Sequence, residues 1–183
     1  MNILILYTTL EGQTEKIAER IANSLRSKDH QVVTQAGDHL PDDLKLETFD
    51  AAIIGGPIHM GRYPRPMKKV VKQNRDWLNK NPTALFTVCM AINSQLPESR
   101  HEAENYAEKF IHETQWHPAQ TITFAGAVKF TKYGFITRYI MKRISKREGG
   151  STDTTQDHEY TNWDSVEHFA EQFAKTLTAT QEK

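Results

Sequence analysis

The sequence predicts a three-layer α/β sandwich. Its centre is a five-stranded parallel sheet of order 2-1-3-4-5, with helices on both faces and a basic helical insertion after strand five. Three observations predict this. Short apolar runs alternate with segments of helical period, as in a sheet wound by crossover helices. The first run passes through a short hydroxyl-rich loop directly into a helix. The chain has 183 residues, 38% of them hydrophobic and 25% charged, which suits one soluble domain over residues 1–183 with a sizeable core.

Asn2-Ile3-Leu4-Ile5-Leu6-Tyr7 is apolar on both faces, as a buried parallel strand must be. Ile17, Ala18, Ile21, Ala22 and Leu25 then mark one side of a helix over Glu15–Ser27. Gln31–Ala36 reads as strand two. Phe49–Gly56, with Ala51-Ala52-Ile53-Ile54, reads as strand three. A second helix is expected over Pro64–Lys80, with Met67, Val70, Val71, Trp77 and Leu78 inward and its prolines near the start, where a missing N–H costs little. Strand four is Thr83–Met90, and the third helix is Glu98–Gln115, with Ala103, Tyr106, Ala107 and Phe110 inward. Strand five is Thr121–Ala127. A basic segment, helical over Gly134–Arg147, and a turn-rich return over Glu148–Thr154 follow. The last helix, from about Thr161, carries Trp163, Val166, Phe169, Ala170, Phe173 and Leu177 on one stripe, and the final few residues read as disordered. Right-handed crossovers leave few topologies for this order of elements.

In such a sheet a ligand lies at the carboxyl ends of strands one, three and four. Those ends carry Thr8-Thr9-Leu10-Glu11-Gly12-Gln13-Thr14, Pro57–Tyr63 and Cys89–Pro97. The first loop opens a helix, where free N–H groups and the helix dipole favour a phosphate, and Thr8, Thr9 and Thr14 add hydroxyls. It contains no Lys or Arg, so neutral donors would hold the phosphate; the alternative is a plain turn capped by a threonine. Neither Gly-x-Gly-x-x-Gly nor a P-loop is present, which argues against a dinucleotide or a nucleoside triphosphate in this turn.

The charges are uneven. Lys129, Lys132, Arg138, Lys142, Arg143, Lys146 and Arg147 fall within 19 residues that contain no acid, while the remaining 164 residues have a balance of −7. An acidic body with one cationic segment points to an anionic partner for that segment and not to nucleic acid. If helical, the segment gathers Phe135, Ile136, Tyr139, Ile140 and Ile144 on one side and Arg138, Lys142 and Lys146 on the other, with Arg143 and Arg147 inside the apolar arc. It reads as a surface for an anionic membrane, as a clamp for an anionic ligand, or as both, ahead of the alternative of a solvated helix at the edge of the domain. The single cysteine, Cys89, makes no internal disulfide, which points to a reducing, cytoplasmic setting, and Cys89 itself reads as a small buried residue. No Ser/His/Asp grouping and no metal-ligand spacing stands out. No apolar run is long enough to span a membrane, and the start reads as a strand, not a signal peptide.

Leu4-Ile5-Leu6-Tyr7-Thr8-Thr9-Leu10-Glu11-Gly12-Gln13-Thr14 resembles the FMN phosphate loop of the flavodoxin superfamily. Gln115-Trp116-His117-Pro118, Ala125-Gly126-Ala127, Ile140-Met141-Lys142, Gly149-Gly150-Ser151-Thr152-Asp153-Thr154 and Tyr160-Thr161-Asn162-Trp163 resemble a branch of it, the bacterial quinone-dependent protoporphyrinogen IX dehydrogenases. The resemblance covers nearly the whole chain, including the insertion at about 128–150. It implies a flavodoxin-like fold, bound FMN, oxidation of protoporphyrinogen IX to protoporphyrin IX in haem synthesis, a membrane quinone as acceptor, and a peripheral site on the cytoplasmic side of the membrane.

Carried over by position, Thr8, Thr9, Leu10, Glu11, Gly12, Gln13 and Thr14 would bind the phosphate. Pro57, Ile58, His59, Met60 and Gly61, with Cys89, Met90, Ala91, Ile92 and Asn93, would flank the flavin ring. Small flavodoxins often sandwich the ring between a Trp and a Tyr; these loops offer His59 and Met90-Ala91-Ile92-Asn93, with Tyr63 expected to begin the helix. That departure implies a looser hold and one ring face open to substrate. His59 reads either as a flavin or propionate contact or as a solvated loop residue. The flavin carries the chemistry, so no protein nucleophile is expected. The insertion would then meet a membrane, the two propionates with Phe130, Tyr133, Phe135 and Tyr139 against the macrocycle, or both, and is expected to serve turnover and not the fold. The rival readings are a single-electron carrier, marked by a stable semiquinone, an NAD(P)H-fed quinone reductase, and a binding module that retains no FMN.

Overall fold

The structure, a computed structural model, describes residues 1–37 and 44–181. In chain order the elements are β1 Asn2–Tyr7, α1 Gln13–Arg26, β2 Gln31–Ala36, β3 Ala51–Pro57, α2 Arg65–Gln73, α3 Arg75–Lys80, β4 Thr83–Val88, α4 Pro97–Thr114 and β5 Gln120–Phe124. Then come β6 Ala127–Val128, α5 Phe135–Glu148, β7 His158–Glu159 and α6 Trp163–Gln181. The first five strands form one parallel sheet of order β2-β1-β3-β4-β5, as the sequence predicts.

Alternation along the central strands builds two cores. Ile3, Ile5, Tyr7, Ile53 and Phe86 face α1 and α6, meeting Ile17, Ile21, Phe169 and Phe173. Leu4, Leu6, Ile54 and Leu85 face the opposite layer, meeting Met67, Val71, Phe110 and Trp116. The Trp116 indole N–H donates to Thr83 Oγ1 at 3.0 Å, so this buried polar group is satisfied. At the rim of β3 the sheet needs a glycine. A Cβ on Gly55 would lie 1.9 Å from the ring of Phe86, its register partner on β4.

Four elements differ from the sequence expectation. The second helix is two helices, because the Asn74 side chain and N–H both bond the Val70 carbonyl, at 2.9 and 3.1 Å, and end α2 there. Tyr63 does not begin a helix; it is buried, with its hydroxyl bonded to Thr87. Strand five stops at Phe124, and Ala127–Val128 leaves the sheet to pair antiparallel with His158–Glu159. The last helix starts at Trp163 and runs to Gln181; residues 182–183, within the stretch that reads as disordered, lie outside the described residues.

The insertion differs most. Its first part is folded core: Phe130 is 0% exposed and packs edge-on against Tyr133 and His158. Phe130 is therefore not free to meet a ligand, and the whole segment is not separable from the fold. Within α5 it is Arg138, Met141, Ser145 and Glu148 that turn toward the domain. Phe135, at 86% exposure, Ile136, at 73%, Tyr139, Ile140 and Ile144 face outward. The helix packs by its polar edge and shows its apolar side to the surroundings.

Candidate functional site

The loop after β1 is fixed by its backbone. Thr8 N–H donates to Gly55 O at 3.0 Å, and Gly12 N–H donates to Thr9 Oγ1 at 3.0 Å. Gly12 takes φ +86°, a left-handed conformation that glycine adopts without strain, and this aims the start of α1. The first intrahelical bond runs from Lys16 N–H to Gly12 O, so the N–H groups of Gln13, Thr14 and Glu15 precede the ladder and are open to an acceptor. Thr8 Oγ1 is buried without a hydrogen-bond partner among the described residues, in a side chain 2% exposed. Space beside it is kept by glycines: a Cβ on Gly37 would come within 3.1 Å of Thr8 Cγ2, and one on Gly56 within 3.2 Å of Thr8 Oγ1. An orphaned hydroxyl beside a helix start fits a phosphate held by neutral donors.

Glu11 would oppose an anion there, but its carboxylate is engaged: Tyr133 Oη donates to Glu11 Oε2 at 3.0 Å while accepting from Lys129 N–H. Burial, then this carboxylate, pushes the Tyr133 hydroxyl up to about 12. Gln13 reaches across to Thr161 Oγ1 at 2.9 Å, and Thr161 donates to Ala125 O, which ties the loop to the approach of α6.

A cavity of about 370 Å³ opens beside the loops after β3 and β4. Ile58, Met60, Gly61, Cys89, Met90, Ala91 and Asn93 line one side. Tyr106 and Glu102 of α4, Met141, Ile144 and Ser145 of α5, and Tyr160 line the rest. The lining is largely aliphatic and thioether, which suits a flat apolar ring. No aromatic side chain of the two loops enters it. The loop after β3 closes in a tight turn, His59 to Arg62 with paired N–H···O bonds of 3.0 and 3.2 Å. Met60 and Gly61 both adopt positive φ at its tip. Burial pushes the Cys89 thiol above its ordinary value, so it is a lining residue and not a reactive thiolate.

Of the residues predicted for the ring, seven share this cavity. Pro57, His59 and Ile92 do not line it. Pro57 ends β3 in register with Val88, His59 is exposed at the turn, and Ile92 faces the layer between α4 and β5. The cations of the insertion also separate. Only Arg147 lines the cavity, and it is paired with Glu148 at 2.6 Å. Lys129 pairs with Asp157 at 3.9 Å, and Arg138 donates to the carbonyls of Phe130 and Tyr133, both at 3.1 Å. Lys132, Lys142, Arg143 and Lys146 are exposed. Sequence reasoning missed Tyr106, Glu102, Met141, Ser145 and Tyr160 as lining residues. Glu148 fixes the end of α5: it accepts from Ser94 Oγ at 2.6 Å, and its carbonyl accepts from Gln95 N–H.

Comparison with known proteins gives a consistent result. The family model described as a flavodoxin domain matches residues 4–155. The chain is 34% identical over 175 residues to protoporphyrinogen IX dehydrogenase [quinone] of Escherichia coli K12, covering 95% of each chain. It is 29% identical over 171 residues to the Leishmania major protein of the same name, covering 93% of this chain and 74% of that one. Among solved structures, oxidised flavodoxin 1 of Bacillus cereus superposes with a TM-score of 0.59 at 16% identity, over 96% of this chain and 98% of that one. A flavodoxin from the Archaea gives 0.57 at 16% identity, over 97% and 99%. At those identities the structural likeness speaks for the fold.

Proposed function

The chain belongs to the flavodoxin-domain family and, within it, to the quinone-type protoporphyrinogen IX dehydrogenases, and on that premise we propose that it oxidises protoporphyrinogen IX to protoporphyrin IX with bound FMN and a quinone acceptor. The observation that carries the reading is the likeness to the E. coli dehydrogenase over 95% of both chains. The orphaned Thr8 hydroxyl and the free N–H groups of α1 fit the phosphate. Ile58, Met60, Met90 and Ala91 fit the ring.

FMN held there would supply two-electron redox chemistry between substrate carbon and quinone, and three such rounds would complete the six-electron oxidation of the porphyrinogen to the porphyrin. The chain's own residues position and desolvate. Thr8 and the α1 N–H groups anchor, Tyr133 holds the Glu11 carboxylate to itself, and the aliphatic lining excludes water. With no aromatic plate from the two loops, one ring face is left to the substrate.

The finer reading is that α5 docks the protein on an anionic membrane, on its cytoplasmic side. Supporting it are the outward Phe135, Ile136, Tyr139 and Ile140, with Lys142, Arg143 and Lys146 exposed on the same helix. Leu10 and Met60, at the tips of the loops after β1 and β3, are among the described residues the other exposed large apolar side chains at this end of the sheet. Among the described residues no helix is long and apolar enough to cross a membrane. A protein lying on the bilayer by this end would meet a membrane quinone at its cavity.

The test is reconstitution with FMN followed by anaerobic assay of porphyrin fluorescence from protoporphyrinogen IX, with and without a menaquinone analogue. Quinone-dependent porphyrin formation is expected. FMN binding without porphyrin formation would overturn the assignment.

A further inference from the structure

We propose that the propionates of the tetrapyrrole bind in a separate cationic cleft formed by Arg62, Arg65 and Lys109, on the far side of Gly61 and Tyr106 from the apolar cavity. This rests on the functional reading above and adds to it the place where the substrate's charge is read.

The cleft has a volume of about 330 Å³ and lies between the turn after β3, the start of α2 and the middle of α4. Gly61 and Tyr106 line both it and the apolar cavity, so the two spaces adjoin along one partition. The partition is thin because Gly61 has no side chain: a Cβ there would stand 3.5 Å from Tyr106 Oη. Tyr106 Oη is held by Glu102 at 2.7 Å, which fixes the ring as a wall.

The charges of the cleft are unbalanced. Lys68 is paired with Glu113, the one acid of the lining. Arg62, Arg65 and Lys109 have no carboxylate partner among the described residues, and Lys109 lies 5.7 Å over the Tyr106 ring. Arg62 stands beside Gly61 in the turn, and Arg65 opens α2.

Protoporphyrinogen is a large apolar macrocycle with two adjacent carboxylates on one edge. It needs an apolar space and, across a short step, a cationic one. Two arginine forks and an ammonium supply bidentate and single donors for two carboxylates. The insertion does not supply them next to the cavity: Arg147 is spent on Glu148, Arg138 on backbone carbonyls and Lys129 on Asp157. Lys142, Arg143 and Lys146 do not line the cavity. The sequence suggested the insertion as the propionate clamp; the geometry points to α2 and α4.

The experiment compares protoporphyrin IX with its dimethyl ester, by fluorescence anisotropy, on the FMN-loaded protein. The wild type should bind the diacid at least about tenfold more tightly, the effect of one lost charge-assisted pair. Arg62→Gln/Arg65→Gln/Lys109→Gln should bind the two alike. It should raise KM for protoporphyrinogen at nearly constant kcat, with FMN affinity and binding to anionic vesicles unchanged. All three side chains are exposed, and the single variant Lys109→Gln should narrow the preference for the diacid if the triple one folds poorly. A preference for the diacid that is undiminished in these variants would overturn the proposal. So would loss of vesicle binding with the preference intact, which would make the cleft a lipid headgroup site. A wild type that binds neither porphyrin would instead remove the functional reading on which the cleft depends.

Discussion

Thr8→Val separates the two roles of one hydroxyl. The side chain is buried, β-branched and packed against Gly37, and valine keeps its shape while deleting Oγ1. That oxygen has no hydrogen-bond partner among the described residues. A buried unsatisfied group costs about 1–3 kcal/mol, so the FMN-free variant should be more stable than the wild type, not less. For a chain of this length about 1 kcal/mol corresponds to ~2–4 °C, so the melting temperature of the FMN-free protein should rise by about 2–12 °C. The sign reverses for the cofactor. A hydrogen bond to a charged phosphate contributes about 1.5–3 kcal/mol, so FMN should bind about 10- to 100-fold more weakly. The assays are thermal unfolding of FMN-free protein and titration of FMN by flavin fluorescence. A variant that loses stability without FMN and binds it as before would refute the reasoning, because the hydroxyl would then have a partner within the fold and no role in the cradle.

Other outcomes follow from the same geometry. Gly55→Ala should destabilise by at least about 1–3 kcal/mol in denaturant unfolding, because the Phe86 ring occupies the place of the new methyl, and Phe86→Leu in the same chain should recover part of the loss. Tyr133→Phe releases Glu11 toward the phosphate loop and should weaken FMN by roughly tenfold; unchanged affinity would remove Tyr133 from cofactor binding. Phe135→Ser/Ile136→Ser should lower partition onto anionic vesicles by at least about tenfold, since burying each apolar side chain contributes about 1.5–3 kcal/mol, while a short water-soluble quinone is still reduced. At high pH, Tyr7, Tyr106 and Tyr133 are each pushed from 10.0 to about 12 by burial and then by Glu15, Glu102 and Glu11. Raised values in the folded state mean that their contribution is intact below pH 10 and is lost as pH climbs toward 12; tyrosinate absorbance followed with unfolding should show both transitions in that window.

The sheet was legible because its signals are local. Ile3 to Tyr7 and Ala51 to Ile54 are apolar on both faces, and Gly12 and the threonines of the first loop announce a strand-to-helix turn within one short stretch. The break at Asn74 was not legible, since the choice between continuing a helix and bonding Val70 is made by one side chain. The pairing of Ala127–Val128 with His158–Glu159 joins two-residue strands far apart in sequence, with no periodicity to reveal it. The sidedness of α5 was read in outline but not in direction. The sequence shows an apolar arc and a cationic one; which of them meets the domain depends on Arg138 finding the Phe130 and Tyr133 carbonyls, and on Glu148 finding Ser94. The cofactor loops were named as units, yet Ile92 and His59 turn away from the cavity that their neighbours line, because a four-residue turn and a short 3-10 turn send successive side chains in different directions.

The short antiparallel pair β6–β7 brings the start of the insertion next to the strand that follows its return. A chain that departs and comes back at one spot lets α5 vary without altering strand order, provided that Phe130 stays in the core and Tyr133 stays on Glu11. Exchanging α5 for its counterpart from a relative, or lengthening it by a turn, should therefore be a modular operation: the chassis keeps its register, and only the adaptor changes.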